Sequence, residues 1–229
     1  MPTALITGSN RGLGLALATR YAARPDARVI AVTRDIAAAD DLAALVSRSN
    51  GRVRPIQADV ADAASIERLA HDVGDAAIDL LINNAGVMGN TDFGEISEQD
   101  LIEVFRVNTF APLLLTQALR ARLVRGGKVV NITSVLGSIE AARDGTGYLT
   151  YGMSKAALNM LSVKLANVLR PRDIAVLALH PGWVRTRMGG SDAAISVDTS
   201  ANGMMRVIDA LDIGRTGAYL AYDGSVIPW

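Results

Sequence analysis

A glycine-rich turn near the beginning of the chain constrains its fold more than any other segment. Residues 7–14 read TGSNRGLG and follow a short apolar run at residues 4–7. The glycines, Gly8, Gly12 and Gly14, allow a tight turn and a close approach of the backbone to a ligand. A helix that begins inside such a turn attracts a pyrophosphate with its N-terminal amides. An ordinary strand-to-helix connection can look the same, but a strand before the turn and a helix after it favour dinucleotide binding.

Short apolar runs alternate along the chain with longer segments of helical spacing. The predicted strands are residues 4–7, 28–33, 53–57, 80–83, 128–133, 175–179 and 217–221. The predicted helices are residues 12–23, a segment that starts after Asp62 as its cap, and residues 101–123 and 151–169. Several runs lack polar alternation, as expected of strands covered on both faces. The order predicts an α/β fold, a Rossmann-type doubly wound parallel sheet of about seven strands with helices on both faces.

The length of the chain fits a single domain. It has 229 residues, half of them hydrophobic, and one core can grow to about 250–300 residues before chains divide into domains. No repeat or linker interrupts the sequence, so we expect one domain over residues 1–229. The first residues lack the pattern of a signal peptide, and no apolar run approaches the ~18 residues that span a bilayer. We therefore expect a cytoplasmic protein without membrane contact.

Charge and side-chain chemistry exclude several kinds of site. The 23 basic and 23 acidic residues give a formal net charge of zero, so there is no electrostatic reason to expect nucleic acid as a partner. The chain has no cysteine, which excludes disulfides, thiolate metal sites and a cysteine nucleophile. No cluster of His, Asp and Glu has ligand spacing, so we predict no metal. We expect His180 to be structural and His71 to lie on the surface.

The end of the second predicted strand bears on the choice between NAD and NADP. An acidic residue there would bond the ribose hydroxyls of NAD and repel a 2′-phosphate. This chain has Thr33 followed by Arg34, and Arg11 lies in the glycine-rich turn. Guanidinium groups match phosphate geometry, so the two arginines favour NADP. Two solvated surface arginines are the alternative, and Asp35 lies next to Arg34.

Tyr151 and Lys155 stand four residues apart in a segment of helical spacing, so they share one helix face. A free phenol has a pKa near 10, and a nearby ammonium favours the phenolate. Such a tyrosine can exchange a proton with a substrate oxygen while a hydride moves to or from carbon. Alone, the pair is more simply explained as a surface pair.

The motifs together are more specific than each is alone. They are TGSNRGLG at 7–14, Asp59-Val60, NNAG at 83–86, Asn108, Ser134, the Tyr151/Lys155 pair and Pro181-Gly182. In order and spacing the chain resembles the short-chain dehydrogenase/reductase family from its first strand to its last residue. The ending DGSVIPW at 223–229 resembles the carbonyl-reductase branch with sniffer-like and C-factor-like proteins.

The resemblance implies a catalytic set of four residues. Tyr151 would be the acid/base, and Lys155 would hold the nicotinamide ribose and lower the pKa of Tyr151. Ser134 would bond the substrate oxygen, and Asn108 would hold a water of the proton relay. Ser134 and Tyr151 are 17 residues apart, more than is usual in the family, so the loop 139–147 is lengthened. Ser138 is a second candidate, although Ser134 holds the motif position.

The resemblance also implies a site for NADP(H). The glycine-rich turn would hold the pyrophosphate, Asp59-Val60 would lie beside the adenine, and the segment after Pro181 would wrap the nicotinamide. The full set of expected cofactor-binding residues is Gly8, Asn10, Arg11, Gly12, Leu13, Gly14, Thr33, Arg34, Asp59, Val60, Asn83, Ala85, Gly86, Tyr151, Lys155, Pro181, Gly182, Val184 and Thr186.

The substrate is expected to be a small molecule with a carbonyl or alcohol group, bound in a partly apolar pocket. The residues expected to line that pocket are Val87, Met88, Leu136, Tyr148, Trp183 and Met188. The activity implied is that of an NADP-dependent carbonyl reductase acting on aldehydes, ketones or quinones. The alternative is an NADP(H)-binding regulatory or signalling protein with little turnover. Apolar surface on the segments 101–123 and 151–169 predicts a homodimer or homotetramer.

Overall fold

A seven-stranded parallel sheet forms the centre of this computed structural model, which describes residues 2–89, 93–143 and 147–229. The strand order is β3-β2-β1-β4-β5-β6-β7. The strands are β1 Thr3–Thr7, β2 Arg28–Thr33, β3 Val53–Gln57, β4 Ile78–Asn83, β5 Leu123–Ile132, β6 Ala175–His180 and β7 Ala218–Ala221. The helices are α1 Gly12–Ala23, α2 Asp40–Arg48, α3 Ala63–Val73, α4 Glu98–Phe105, α5 Ala111–Ala118, α6 Leu149–Leu169 and α7 Val197–Asp209. The predicted fold class is confirmed.

Side chains of the sheet alternate between two apolar layers. In β1, Ile6 packs with Leu17 of α1 and the buried face of α7, whereas Leu5 packs with Leu115 of α5 and Leu165 of α6. Successive side chains of a strand point to opposite faces, so both layers draw on the same strands. Every residue of β1 is buried, which explains why this strand reads as an apolar run without alternation.

The prediction of one helix over residues 101–123 is wrong. The structure has α4, one turn of π-helix at Arg106–Phe110, and then α5, which ends at Ala118. Leu119 and Leu123 have helical spacing and are both buried. Leu123, however, pairs with Ile78 in the sheet. Both positions need an apolar side chain, and only the neighbouring strand decides that Leu123 is extended.

The sequence interpretation also missed helix α2. Its first turn carries Asp40 and Asp41 and its last turn Arg48, the charge order that the helix dipole favours. This charge pattern could have indicated the helix from the sequence. The predicted cap of α3 is present, because the Asp62 carboxylate accepts bonds from the amides of Ala64 and Ser65.

The loop 139–147, expected to be lengthened, includes residues 144–146, which lie outside the described residues. Across the three described ranges, no helix is long and apolar enough to cross a membrane. The same ranges contain no group of three or more His, Cys, Asp or Glu that could hold a metal ion.

Candidate active site at the carboxyl ends of the strands

The glycine-rich turn is locked against the loop that follows β4. The Asn84 amide donates to the carbonyl oxygens of Thr7, at 2.8 Å, and Gly8, at 3.3 Å. The Thr7 hydroxyl in turn accepts from the amides of Asn84 and Ala85. Gly8 has a φ of 67°, and a Cβ on Gly14 would lie 2.1 Å from the Gly8 carbonyl oxygen. Glycine is therefore required at both positions, and Asn84, which was not among the predicted site residues, fixes the turn.

Asn83 lies behind this turn and ties the sheet to α6. Its amide donates to the Asn131 side chain at 2.8 Å, and Asn131 donates to the Ser162 hydroxyl at 2.9 Å. All three side chains are buried, so each polar group needs such a partner. The Asn83 side chain thus holds β4, β5 and α6 together at the carboxyl end of the sheet.

The predicted adenine residues lie at the end of β3. The Asp59 carboxylate accepts from the Ala61 amide at 2.9 Å, so it closes the turn that leads to α3. Val60 lines a small hollow together with Ala85, Val107 and other residues of the β1 and β4 ends. Of the pair, Val60 therefore presents an apolar surface beside the glycine-rich turn, while Asp59 shapes the backbone.

The two predicted phosphate-binding arginines are both exposed at the end of the sheet, Arg11 in the glycine-rich turn and Arg34 directly after β2. Thr33 is buried, and its hydroxyl donates to the Asp35 carbonyl at 3.3 Å. The Asp35 carboxylate accepts from the Ala38 amide at 3.2 Å. The acid next to Arg34 is therefore bonded to the backbone of its own turn.

Tyr151 and Lys155 lie on the buried face of α6, near the end of β5. The Lys155 ammonium is 5.5 Å from the centre of the Tyr151 ring and donates to the Ile132 carbonyl at 2.8 Å. Burial lowers the pKa of Lys155 to about 8. The pair is therefore not the surface pair that its spacing alone would suggest.

The pKa of Tyr151 shifts in the direction opposite to the one that the resemblance implies. Burial raises it to about 12, and the hydrogen bond with the Ser134 side chain acts in the other direction. Desolvation disfavours the phenolate, and it outweighs the help from Ser134. At neutral pH the Tyr151 hydroxyl is therefore protonated and stands as a proton donor.

Ser134, rather than Ser138, faces the Tyr151 hydroxyl. The Ser134 hydroxyl also accepts from the Leu136 amide at 3.2 Å. The Ser138 hydroxyl donates to the Pro228 carbonyl at 2.6 Å and accepts from the Ala141 amide. The structure thus supports the motif position and gives Ser138 a role in holding the loop.

Asn108 lies in the π-helical turn, and both amide hydrogens of its side chain are bonded. It accepts from the Val87 amide and donates to the Val87 carbonyl, each at 2.9 Å, and it donates to the Ser154 hydroxyl at 2.9 Å. π-Helical turns occur frequently at functional sites. Here the turn lets one buried amide fix the loop after β4 against α6, and the amide oxygen keeps one lone pair beyond its bond from Val87.

Three further residues behind the site were missed in the sequence. The Thr133 hydroxyl donates to the Asn159 side chain at 2.7 Å, and the Asn159 amide donates to the Gly137 carbonyl at 3.0 Å. Tyr219 of β7 donates from its hydroxyl to the Ser134 carbonyl at 2.5 Å. A tyrosine in a short apolar strand was the available signal, since a buried phenol needs a hydrogen-bond partner.

The segment after β6 closes one side of the site. The Pro181 carbonyl accepts from the Ser200 hydroxyl of α7 at 2.6 Å, and Gly182 has a φ of 82°. Val184 is buried, and a Cβ on Gly12 would lie 3.7 Å from the Thr186 side chain. This segment therefore borders the glycine-rich turn.

The residues predicted to line the substrate pocket lie mostly at the protein surface. Five of the six are exposed, with Met88 half-buried. The Trp183 indole donates to the Gly189 carbonyl at 2.8 Å, which fixes the orientation of the ring. The set is apolar apart from this indole and one phenol: Val87, Met88, Leu136, Tyr148, Trp183 and Met188.

His180 is a structural residue, as expected. Its Nδ1 atom accepts from the Val135 amide at 3.2 Å. Burial lowers its pKa to about 4, partly opposed by Asp223. His71, by contrast, lies on the surface with an exposed side chain.

The His180→Asn variant should lose less stability than the parent when the pH is lowered. Between pH 6.5 and 4 the unfolded chain binds a proton at this position that the folded chain does not, so stability falls as the pH falls. Asparagine keeps an acceptor for the Val135 amide and does not titrate. Urea unfolding at pH 7 and pH 4.5 measures the free energy of unfolding at each pH. Between these two pH values we expect it to fall by about 2 kcal/mol more in the parent than in the variant. His71→Asn is the control, and an equal acid loss in all three proteins would contradict the prediction.

The comparisons with known proteins agree with this geometry. The family profile described as short chain dehydrogenase matches residues 2–194. C-signal of Myxococcus xanthus is 41% identical over 163 residues, which are 70% of this chain and 98% of that protein. The NADPH-bound carbonyl reductase from chicken fatty liver has a TM-score of 0.93 and 34% identity, covering 100% of this chain and 99% of that one. Carbonyl reductase Sniffer of D. melanogaster has a TM-score of 0.93 and 29% identity, with full coverage of both chains.

Proposed function

The chain belongs to the short-chain dehydrogenase family, and on that premise we propose that it is an NADP(H)-dependent carbonyl reductase. The observation that carries the proposal is the buried group of Tyr151, Ser134 and Lys155 at the end of β5. The substrate is a small molecule with a carbonyl group, such as an aldehyde, ketone or quinone. Solved carbonyl reductases share the whole fold with this chain.

The residues at the carboxyl ends of the strands fit a dinucleotide. Gly8 and Gly12 adopt positive φ angles in the turn that leads into the N-terminus of α1. A Cβ on Gly86 would approach the Asn108 side chain at 3.4 Å and the Lys155 ammonium at 3.7 Å, so glycine keeps the floor of the site open. Gly8, Gly12, Gly14, Gly86 and Lys155 would hold the cofactor, which supplies the hydride when bound.

Tyr151 and Ser134 handle the substrate oxygen. With its pKa raised to about 12, the Tyr151 phenol keeps its proton at neutral pH and donates it as the carbonyl becomes an alcohol. Ser134 donates a hydrogen bond to the same oxygen and holds it in place. Lys155 is fixed by the Ile132 carbonyl and has ammonium hydrogens left for a ribose hydroxyl.

Arg11 and Arg34 support the preference for NADP over NAD. Both are exposed beside the end of β2, where the buried Thr33 presents no charge. The Asp35 carboxylate is engaged by the Ala38 amide. A 2′-phosphate would therefore meet two guanidinium groups at this position. Relatives of known structure were solved with NADPH or NADP bound.

The activity test is a substrate panel. Purified protein is incubated with NADPH or NADH and a series of aldehydes, ketones and quinones, and the loss of reduced nicotinamide absorbance is followed. We expect turnover with apolar carbonyls and with NADPH in preference to NADH. Tight NADPH binding without turnover of any compound would instead favour the second candidate function, an NADP(H)-binding signalling protein. That candidate is kept because C-signal is a similar relative.

The proposal extends to assembly and location. The single domain of residues 1–229 would act in the cytoplasm as a homodimer or homotetramer. Exposed apolar side chains on the π-turn, α5 and α6 support pairing: Phe110, Leu113, Met153, Met160 and Val168. Sedimentation velocity should give a species of at least twice the chain mass, and a sharp monomer at micromolar concentration would contradict this part.

A further inference from the structure

Strand β7 contacts the loop that carries Ser134 through the side chain of Tyr219. Tyr219 is 2% exposed, and its hydroxyl donates to the Ser134 carbonyl at 2.5 Å. The same carbonyl accepts from the Gly137 amide at 2.9 Å. The Tyr219 hydroxyl also forms a hydrogen bond with the Asn159 side chain on α6. One phenol therefore joins the strand, the Ser134 loop and the helix that carries Tyr151.

The segment after β7 folds back along it. The Ala221 amide donates to the Ser225 carbonyl at 2.8 Å, and the Ile227 amide donates to the Tyr219 carbonyl at 3.0 Å. Gly224, with a φ of 91°, forms the turn. This return places the Trp229 ring on the Tyr219 ring, with ring centres 5.1 Å apart and an interplanar angle of 29°.

The returning segment also binds the far end of the Ser134 loop. The Ser138 hydroxyl, which is buried, donates to the Pro228 carbonyl at 2.6 Å. The Ile139 amide donates to the Trp229 carbonyl at 2.5 Å. The loop 134–139 is thus held at one end by Tyr219 and at the other by residues 228–229.

We propose that Tyr219 is a positioning residue for Ser134 and that the Trp229 ring holds Tyr219 in place. The Tyr219 bond fixes the backbone of Ser134, and the backbone fixes the hydroxyl that faces Tyr151. Misplacing a group that orients the substrate costs rate even when the group is present. This inference rests on the proposed function, since it requires Ser134 to act on the substrate oxygen.

Tyr219→Phe tests the proposal, because it keeps the ring and its stacking on Trp229 and removes only the hydroxyl. Loss of one buried hydrogen bond corresponds to about 3- to 10-fold in a rate. We expect kcat with the best carbonyl substrate to fall by about that factor, and the NADPH dissociation constant from fluorescence to stay unchanged.

The matched control is Tyr21→Phe. Tyr21 is also buried, at 5% exposure, and it lies in α1 away from the site. Among the residues that the structure describes, none forms a hydrogen bond with its hydroxyl. The two variants carry the same substitution in similarly buried surroundings. We expect Tyr21→Phe to keep the parent kcat, and an equal fall in both variants would overturn the proposal.

A double-mutant cycle with Ser134→Ala separates positioning from general loosening. If Tyr219 acts through the Ser134 hydroxyl, adding Tyr219→Phe to Ser134→Ala should lower kcat by less than about twofold, because the group it positions is gone. Additive losses would overturn the inference and leave the proposed function intact. A Ser134→Ala protein with the parent kcat would overturn the proposed function itself.

Trp229 is tested by a conservative and a truncating change. Trp229→Phe keeps an aromatic ring on Tyr219, whereas Trp229→Ala removes it. We expect Trp229→Ala to reproduce the fall in kcat of Tyr219→Phe and Trp229→Phe to restore most of the parent rate. Equal rates in the alanine variant and the parent would remove Trp229 from the proposal.

Discussion

Tyr151→Phe should lower kcat for carbonyl reduction by about 10²–10⁴-fold and leave NADPH binding nearly unchanged. General acid–base groups contribute in that range. The phenol is buried beside Ser134, and burial raises its pKa to about 12, so it holds its proton at neutral pH until the substrate oxygen takes it. The phenylalanine ring keeps the packing. Stopped-flow or steady-state rates with the best panel substrate give kcat, and NADPH fluorescence gives the dissociation constant.

Lys155→Ala provides the contrast. The Lys155 ammonium is buried beside Tyr151 and donates to the Ile132 carbonyl, and in the proposed mechanism it serves both the cofactor and the tyrosine. We expect this variant to weaken NADPH binding and to lower kcat, unlike Tyr151→Phe. A Tyr151→Phe protein with near-parent kcat would exclude Tyr151 as the acid. Unchanged NADPH affinity in Lys155→Ala would exclude the ribose contact.

The double variant Thr33→Asp/Arg34→Gln should reverse the preference for NADPH over NADH. Charge-assisted hydrogen bonds contribute about 1.5–3 kcal/mol each, which is about one to two decades in affinity. The variant removes an attractive guanidinium and adds a carboxylate at the buried end of β2, and specificity changes most when both are altered. The measurement is kcat/KM for NADPH divided by kcat/KM for NADH, in the parent and the variant.

Arg28→Gln is the matched control for the cofactor switch. Arg28 is exposed at the opposite end of the same strand β2, so Arg28→Gln removes one positive charge, as Arg34→Gln does, without touching the proposed phosphate position. Because Arg11 and Arg34 are exposed, added salt should weaken NADPH binding more than NADH binding in the parent. The prediction would be wrong if the parent used both cofactors equally or if the double variant kept the parent ratio of kcat/KM values. Arg11 and Arg34 would then be surface residues without a role in phosphate binding.

Much of the site was predictable because it depends on local chemistry. The glycines of the first turn and the Tyr151/Lys155 spacing are readable without a fold, and the parallel sheet brings the ends of β1, β4, β5 and β6 to one edge. The structural role of His180 and the cap at Asp62 also followed from local pattern. Ser134 was favoured over Ser138 by motif position, and the bond of Ser138 to Pro228 explains the difference.

The sequence by itself determined the order of the seven strands and the loops that carry polar residues, because periodicity and turn chemistry act over a few residues. Only the tertiary structure decided three features of the site. The π-turn places the buried Asn108 amide where it bonds both Val87 and Ser154. The pKa of Tyr151 rises because burial desolvates the phenol. Tyr219 meets Ser134 across 85 residues of sequence, a contact that only the packed sheet creates.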